Sequence, residues 1–257
     1  FQLSVDGRDL GRTFPSKLSV VGDIEFSLRK LNKLILERVQ DDDQEYEKQR
    51  LVAHQDYQQR KIALNEKADS LADCDPIHPL VAARELALAI GPTPIVDEAI
   101  ATASHLRSFL HNNFTRQYSF LRGGALGWGM PAAVGFSLGI GRKPVVSLVG
   151  DGAAMYSPQA LWTAVHEDLP VTFIIMNNLE YNVLKNFMRA QPNYNSTQTG
   201  KFIAMDLNNP AIDFEALAKS MGMSAQKVTL SKDIRSTVTE AIASKKPNLI
   251  EIVIGLE

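Results

Sequence analysis

Two uninterrupted apolar runs, each ending in a small polar motif, constrain this chain more than anything else in it. Val145-Val146-Ser147-Leu148-Val149 leads into Gly150-Asp151-Gly152, and Val171-Thr172-Phe173-Ile174-Ile175-Met176 leads into Asn177-Asn178. Short apolar runs bounded by turn residues read as strands buried on both faces, the habit of parallel sheets. Residues 158–167 between them read as a helix, so the strands are expected to be neighbours joined by a right-handed crossover. Their carboxyl ends would then present a carboxylate and an amide oxygen at one sheet edge. That pair suits a hard cation that also carries phosphate oxygens.

The alternation extends over residues 76–257. Helices are expected over residues 79–90, 102–110, 132–138, 213–221 and 231–243, with further strands at 94–96, 225–228 and 248–254. The fold class is therefore α/β, an open and mainly parallel sheet with helices on both faces. Residues 1–40 differ. A strand at 18–21 precedes Asp23, an expected N-cap, and a helix with Ile24, Leu28, Leu31, Leu34 and Ile35 on one face. So little structure buries little surface, so this part reads as the remnant of a second α/β domain. The chain begins with Phe1 rather than Met, which fits a fragment. Residues 41–75 open on Asp41-Asp42-Asp43 and stay charged and polar, which reads as a solvated helical linker.

Composition removes several classes. A net charge of -2 argues against non-specific nucleic-acid binding. No apolar run reaches the length of a membrane span, and no secretory signal is visible. The single cysteine, Cys74, rules out an internal disulfide framework and fits a reducing compartment, so a cytoplasmic location is expected.

Asp151 and Asn178 are the candidate metal ligands, with the backbone carbonyl of Glu180 as a third. Gly152 lets a phosphate approach the backbone without a Cβ clash, and the N–H groups of Ala153 and Asn182 add donors. A second cluster, Gly123-Gly124-Ala125-Leu126-Gly127-Trp128-Gly129-Met130-Pro131, opens an apolar helix. Its glycines permit close approach to a planar ligand.

From about Asp75 onward the chain resembles the diphosphate-binding domain of the thiamine-diphosphate decarboxylase and acetohydroxyacid synthase superfamily, above all its benzoylformate decarboxylases. Residues 150–157, continuing through Ala160-Leu161-Trp162-Thr163-Ala164, carry the likeness, as does Ile175-Met176-Asn177-Asn178 with Tyr181 and Leu184 after it. The resemblance implies thiamine diphosphate and Mg2+ as cofactors, the metal on Asp151, Asn178 and the Glu180 carbonyl. It implies cofactor contacts at Gly124, Ala125, Leu126, Gly150, Asp151, Gly152, Ala153, Asn178, Tyr181 and Asn182. Leu126 would wedge the cofactor into a bent shape, and Leu184 and Phe187 would line the substrate pocket. The reaction implied is loss of carbon dioxide from a 2-keto acid, with the cofactor ring as electron sink. The activating glutamate belongs, by the same resemblance, to a pyrimidine-binding domain of the same or a neighbouring subunit. No catalytic residue is therefore assigned in this chain, the chain alone is expected to be inactive, and a homo-oligomer is expected. An acetohydroxyacid synthase-type carboligase and a non-catalytic assembly module are the alternatives.

The turn Asp97-Glu98-Ala99-Ile100-Ala101-Thr102 departs from the family, which often has hydroxyl or amide side chains there. Ile100 and Ala101 have no side-chain donors, and Asp97 and Glu98 would repel an anion unless turned away. Glu98 receives no role. Among the remaining residues, Trp162 reads as core or interface and His166 as a surface or cap residue. Met130 and Met188 read as packing, and Cys74 as a plain thiol. His105 and His111 have no ligand spacing.

Overall fold

Side-chain alternation builds the sheet. In β5 (Val145–Gly150), Val146 and Leu148 enter one apolar cluster while Val145 and Val149 enter another. In β6 (Val171–Asn177), Ile174 and Met176 go with the first pair, and Phe173 and Ile175 with the second. This is the period-two pattern of a strand covered on both faces. The computed structural model describes residues 1–38, 44–110 and 117–256. The Asp41-Asp42-Asp43 run and His111 lie outside them.

Two compact units are present, Phe1–Ala63 and Leu64–Glu257. In the first, β1 (Gln2–Ser4) pairs in parallel with β2 (Ser19–Val21), followed by α1 (Ile24–Arg38). The sequence predicts one strand here. The second, β1, is three residues long and too short for a periodic signal. Asp23 caps α1 as expected, its carboxylate accepting the Phe26 N–H at 2.7 Å. Ile24, Leu28, Leu31, Leu34 and Ile35 are each between 45% and 51% exposed, and no residue of α1 is buried. A long helix, α2 (Gln44–Ser70), covers most of the expected linker.

In the second unit, six parallel strands stand in the order β4-β3-β5-β6-β8-β7. They are β3 (Ile95–Glu98), β4 (Tyr118–Phe120), β5, β6, β7 (Ser224–Val228) and β8 (Asn248–Val253). One face is covered by α3 (Pro79–Ile90), α4 (Ala103–Phe109) and α11 (Ser231–Ala243), through Leu86, Leu106, Ile234 and Val238 among others. The other face carries α5 (Gly129–Gly139), α7 (Ala160–His166) and α10 (Phe214–Ser220), through Met130, Leu161 and Phe214. Short helices α6 (Asp151–Ala154), α8 (Asn182–Arg189) and α9 (Asn195–Thr199) complete the unit. Among the described residues no helix is long and apolar enough to cross a membrane.

The strand order places the site. From β3 the chain moves outward to β4, then returns to β5 on the other side of β3. The loops leaving β3 and β5 therefore diverge, and a crevice opens between their carboxyl ends, the usual ligand position in open parallel sheets.

Candidate functional site

A cleft of about 330 Å³ fills that crevice, bordered by residues 98–102 after β3, Gly150, Asp151, Gly152 and Ala153 after β5, and residues 180–184 after β6. Asp151 is the first residue of α6 and only 3% exposed. Its Oδ1 accepts the Gly152 N–H at 2.8 Å, and its Oδ2 accepts the Leu179 N–H at 2.7 Å. One carboxylate thus ties the Gly-Asp-Gly turn to the Asn-Asn turn. Burial pushes this carboxyl up to about 6 against the opposing pull of those N–H groups.

The two asparagines have different tasks. Asn177 turns into the sheet and donates from Nδ2 to Glu251 Oε1 at 2.7 Å. Glu251 is itself buried and paired with Lys227 at 2.9 Å. Asn178 stays at the cleft, where its Oδ1 accepts the Glu180 N–H at 3.1 Å. Between them Leu179 takes a φ of 61°, the left-handed conformation that reverses the chain. The glycine at 152 is required by space. A Cβ there would lie 2.3 Å from Cε1 of Tyr181, whose ring packs on the glycine.

Behind this turn lies an ionic tether. Lys185 on α8 is buried and pairs with the carboxylate of Glu180 and with Asp206 Oδ1, the latter at 2.5 Å. Burial alone would lower the Lys185 pKa, but its two carboxylate partners outweigh this and hold it above the ordinary value. Backbone bonds parallel the tether: Tyr181 N–H donates to Met205 O at 2.9 Å, and Leu207 N–H to Leu179 O at 2.7 Å.

The glycine-rich segment is held from two sides. Glu98, fully buried at the end of β3, accepts the N–H of Gly127 at 2.7 Å, of Trp128 at 3.2 Å and of Gly129 at 2.7 Å. Ser157 Oγ donates to Gly127 O at 2.8 Å. Gly124 and Leu126 border the cleft. Ala125 does not. It faces a separate hollow shared with Arg122 and Trp128.

The acidic turn is oriented away from an incoming anion. Asp97 accepts from Ala99 N–H and the Tyr118 hydroxyl, and Glu98 accepts from the glycine-rich segment. Ile100 has a φ of 39°, rare for a β-branched residue. Among the described residues no acceptor takes the N–H of Ile100 or Ala101, both of which border the cleft. Backbone donors thus stand where side-chain donors are missing.

Of the other expected site residues, Gly150, Gly152, Ala153, Tyr181, Asn182 and Leu184 all border the cleft. Phe187 does not, and is 62% exposed on α8. Trp162, read as core or interface, is 53% exposed and stacks on His166 with ring centres 4.8 Å apart. Met130 is buried and packs as expected. Sequence reasoning missed Glu98, Ser157 and Lys185. Two adjacent acids at a strand end with no cation nearby were the signal for Glu98.

The donor set fits a cation delivered with phosphate. Asp151 is the carboxylate at the crevice floor, desolvated and, among the described residues, without a cationic partner. Two further buried acceptors at the cleft residues, Glu180 Oε1 and Asn182 Oδ1, have no donor among the described residues. No group of three or more His, Cys, Asp or Glu among the described residues could hold a metal alone. Magnesium suits this case, since it takes one or two carboxylates and completes its shell with phosphate oxygens and water.

Residues 100–252 match the family described as thiamine pyrophosphate enzyme, C-terminal TPP binding domain. Benzoylformate decarboxylase of Pseudomonas aeruginosa is 32% identical over 168 residues, covering 65% of this chain and 30% of that protein. Acetolactate synthase large subunit of Parasynechococcus marenigrum is 27% identical over 250 residues, covering 96% of this chain and 38% of the relative. The solved structure of the thiamine diphosphate-dependent 4-hydroxybenzoylformate decarboxylase of Rhodococcus jostii RHA1 matches with a TM-score of 0.64 and 31% identity, over 72% of this chain and 34% of that one. The chain therefore spans well under half the length of these relatives.

Proposed function

The chain belongs to the thiamine pyrophosphate enzymes, as a C-terminal TPP binding domain, and on that premise we propose that it forms the diphosphate- and magnesium-binding part of a non-oxidative 2-keto acid decarboxylase. The observation that carries this reading is the crevice between β3 and β5, which brings desolvated Asp151, Asn178 and Glu180 into one cleft with Gly124 and Leu126. Asp151 and Asn178 side-chain oxygens and the Glu180 carbonyl hold the metal. The N–H groups of Ala153, Ile100 and Ala101 face the diphosphate, while that of Gly152 is taken by the Asp151 carboxylate. Gly124, Leu126 and Tyr181 flank the rings, and Leu184 offers an apolar wall to the substrate. When bound, thiamine diphosphate supplies the electron sink for decarboxylation. The chain's own residues orient it and exclude water around it.

An aromatic keto acid is the first substrate to test, in keeping with the named activities of the two decarboxylase relatives. A carboligase of the acetolactate synthase type is the second reading, favoured by the relative that aligns with 96% of the chain. Product analysis with benzoylformate and with pyruvate separates the two. The activating glutamate and the rest of the pocket come from a pyrimidine-binding domain, within a homo-oligomer. A reducing, cytoplasmic setting is part of this proposal, in keeping with the single cysteine of the chain.

Calorimetry tests the site directly. Thiamine diphosphate should bind this chain in the presence of magnesium and lose affinity by about tenfold to a hundredfold in Asp151→Ala, the scale of a lost charged ligand. Binding indifferent to magnesium, or unchanged in the variant, would falsify the assignment.

A further inference from the structure

We propose that Glu98 is a positioning residue that sets the glycine-rich segment at the height where it can meet the cofactor ring. This rests on the reading above. Glu98 ends β3, one of the two strands that define the crevice, and is fully buried. It has no cation partner among the described residues. Its Oε1 takes the N–H groups of Gly127 and Trp128, and its Oε2 that of Gly129. These are the first free donors at the N-terminus of α5, a helix with no side-chain cap of its own. A carboxylate there satisfies orphan donors and opposes the positive end of the helix.

Two consequences follow from that geometry. Gly127, held by Glu98 through its N–H and by Ser157 through its carbonyl, directly follows Leu126. The position of Leu126 in the cleft is thereby referred to the end of β3. In addition, the α5 N-terminus is already taken by an anion. A diphosphate entering the crevice is left with the N–H groups after β3 and β5. Glu98 thus fixes the ring end of the site without touching the phosphate end.

Packing supplies an independent way to disturb the contact. A Cβ at Gly129 would lie 2.8 Å from both Cβ and Oε2 of Glu98. Gly129→Ala therefore displaces the carboxylate while keeping its charge, and Glu98→Gln keeps its size while placing an amide against the N–H donors.

The test compares two ligands on the full chain with magnesium, thiamine diphosphate and inorganic diphosphate. Both variants should bind thiamine diphosphate about tenfold or more weakly, the scale of a lost charge-assisted bond. Inorganic diphosphate should bind as to the unaltered chain. In the ligand-free protein, amide hydrogen exchange at Gly127, Trp128 and Gly129 should speed up by about tenfold in Glu98→Gln, with the β5 amides unchanged. Equal weakening of both ligands would mean general collapse of the cleft and overturn the inference. So would thiamine diphosphate affinity within about twofold of the unaltered chain in both variants. If the unaltered chain binds neither ligand, the cofactor reading itself falls and this inference with it. The exchange pattern would then still show whether the Glu98 clamp exists.

Discussion

Asp97 has no exposed surface, yet its carboxylate oxygens each accept one bond, from Ala99 N–H at 2.8 Å and from the Tyr118 hydroxyl at 2.6 Å. Burial raises its pKa more than these bonds lower it. The folded state thus holds a proton that the unfolded chain releases near 3.8. The stabilisation from this residue is complete at lower pH and is lost as pH rises through the folded value. An asparagine can keep both bonds, with the Tyr118 oxygen now accepting. We expect Asp97→Asn to be at least as stable as the parent at neutral pH. The difference between the two should narrow or reverse in acid, measured by urea unfolding from pH 4 to 7. A variant less stable at pH 7 than at pH 4, relative to the parent, would refute this. Residues of this kind were not legible in the sequence. The Tyr118 partner of Asp97 and the partners of Glu98 lie about twenty to thirty positions away, and for Glu98 they are backbone N–H groups that no motif encodes. Asp151 was legible because its task depends on its place at the end of an apolar run.

Helices α3 and α11 fall on the bounds expected from periodicity, and β5, β6 and β8 within one residue or so. These elements bury one stripe or both faces, so pattern and packing agree. The elements that escaped are brief. The edge strand β4 has three residues, and α6 has four, begun by an Asp-Gly pair that reads locally as a turn. Helix α5 starts three residues earlier than expected, at Gly129, where Glu98 satisfies its first donors. Helix α8 inverts the usual rule. Its buried residues are Asn182 and Lys185, while Val183, Leu184 and Phe187 are exposed. Its place therefore depends on the Lys185 tether rather than on apolar packing. Lys185→Met should destabilise the chain by about 3 kcal/mol, the low end for a buried pair broken on one side, because Asp206 is half-exposed. Adding Glu180→Gln should recover part of that loss. A double variant no better than the single one would show that the tether carries no such strain.

Across the whole molecule, the crevice draws on the ends of three strands separated by long stretches of chain, and each is held by a bond to a distant segment. Asp151 joins the turn after β5 to that after β6, and Glu98 joins β3 to the start of α5. On the proposed reading, the chain supplies the binding half of a catalytic apparatus. Assayed alone with thiamine diphosphate, magnesium and benzoylformate, it should release no carbon dioxide above background, and adding a family pyrimidine-binding domain should restore release. Turnover by the chain alone would contradict the division of labour proposed above. The parallel order of the sheet has one more consequence. No two neighbouring strands are joined by a hairpin, so none of these bonds can form before the distant crossovers that carry them are in place. The crevice is therefore complete only once those crossovers are in place. A ligand that seats there holds the ends of separately made segments together, and so reports on whether the chain has finished folding at all.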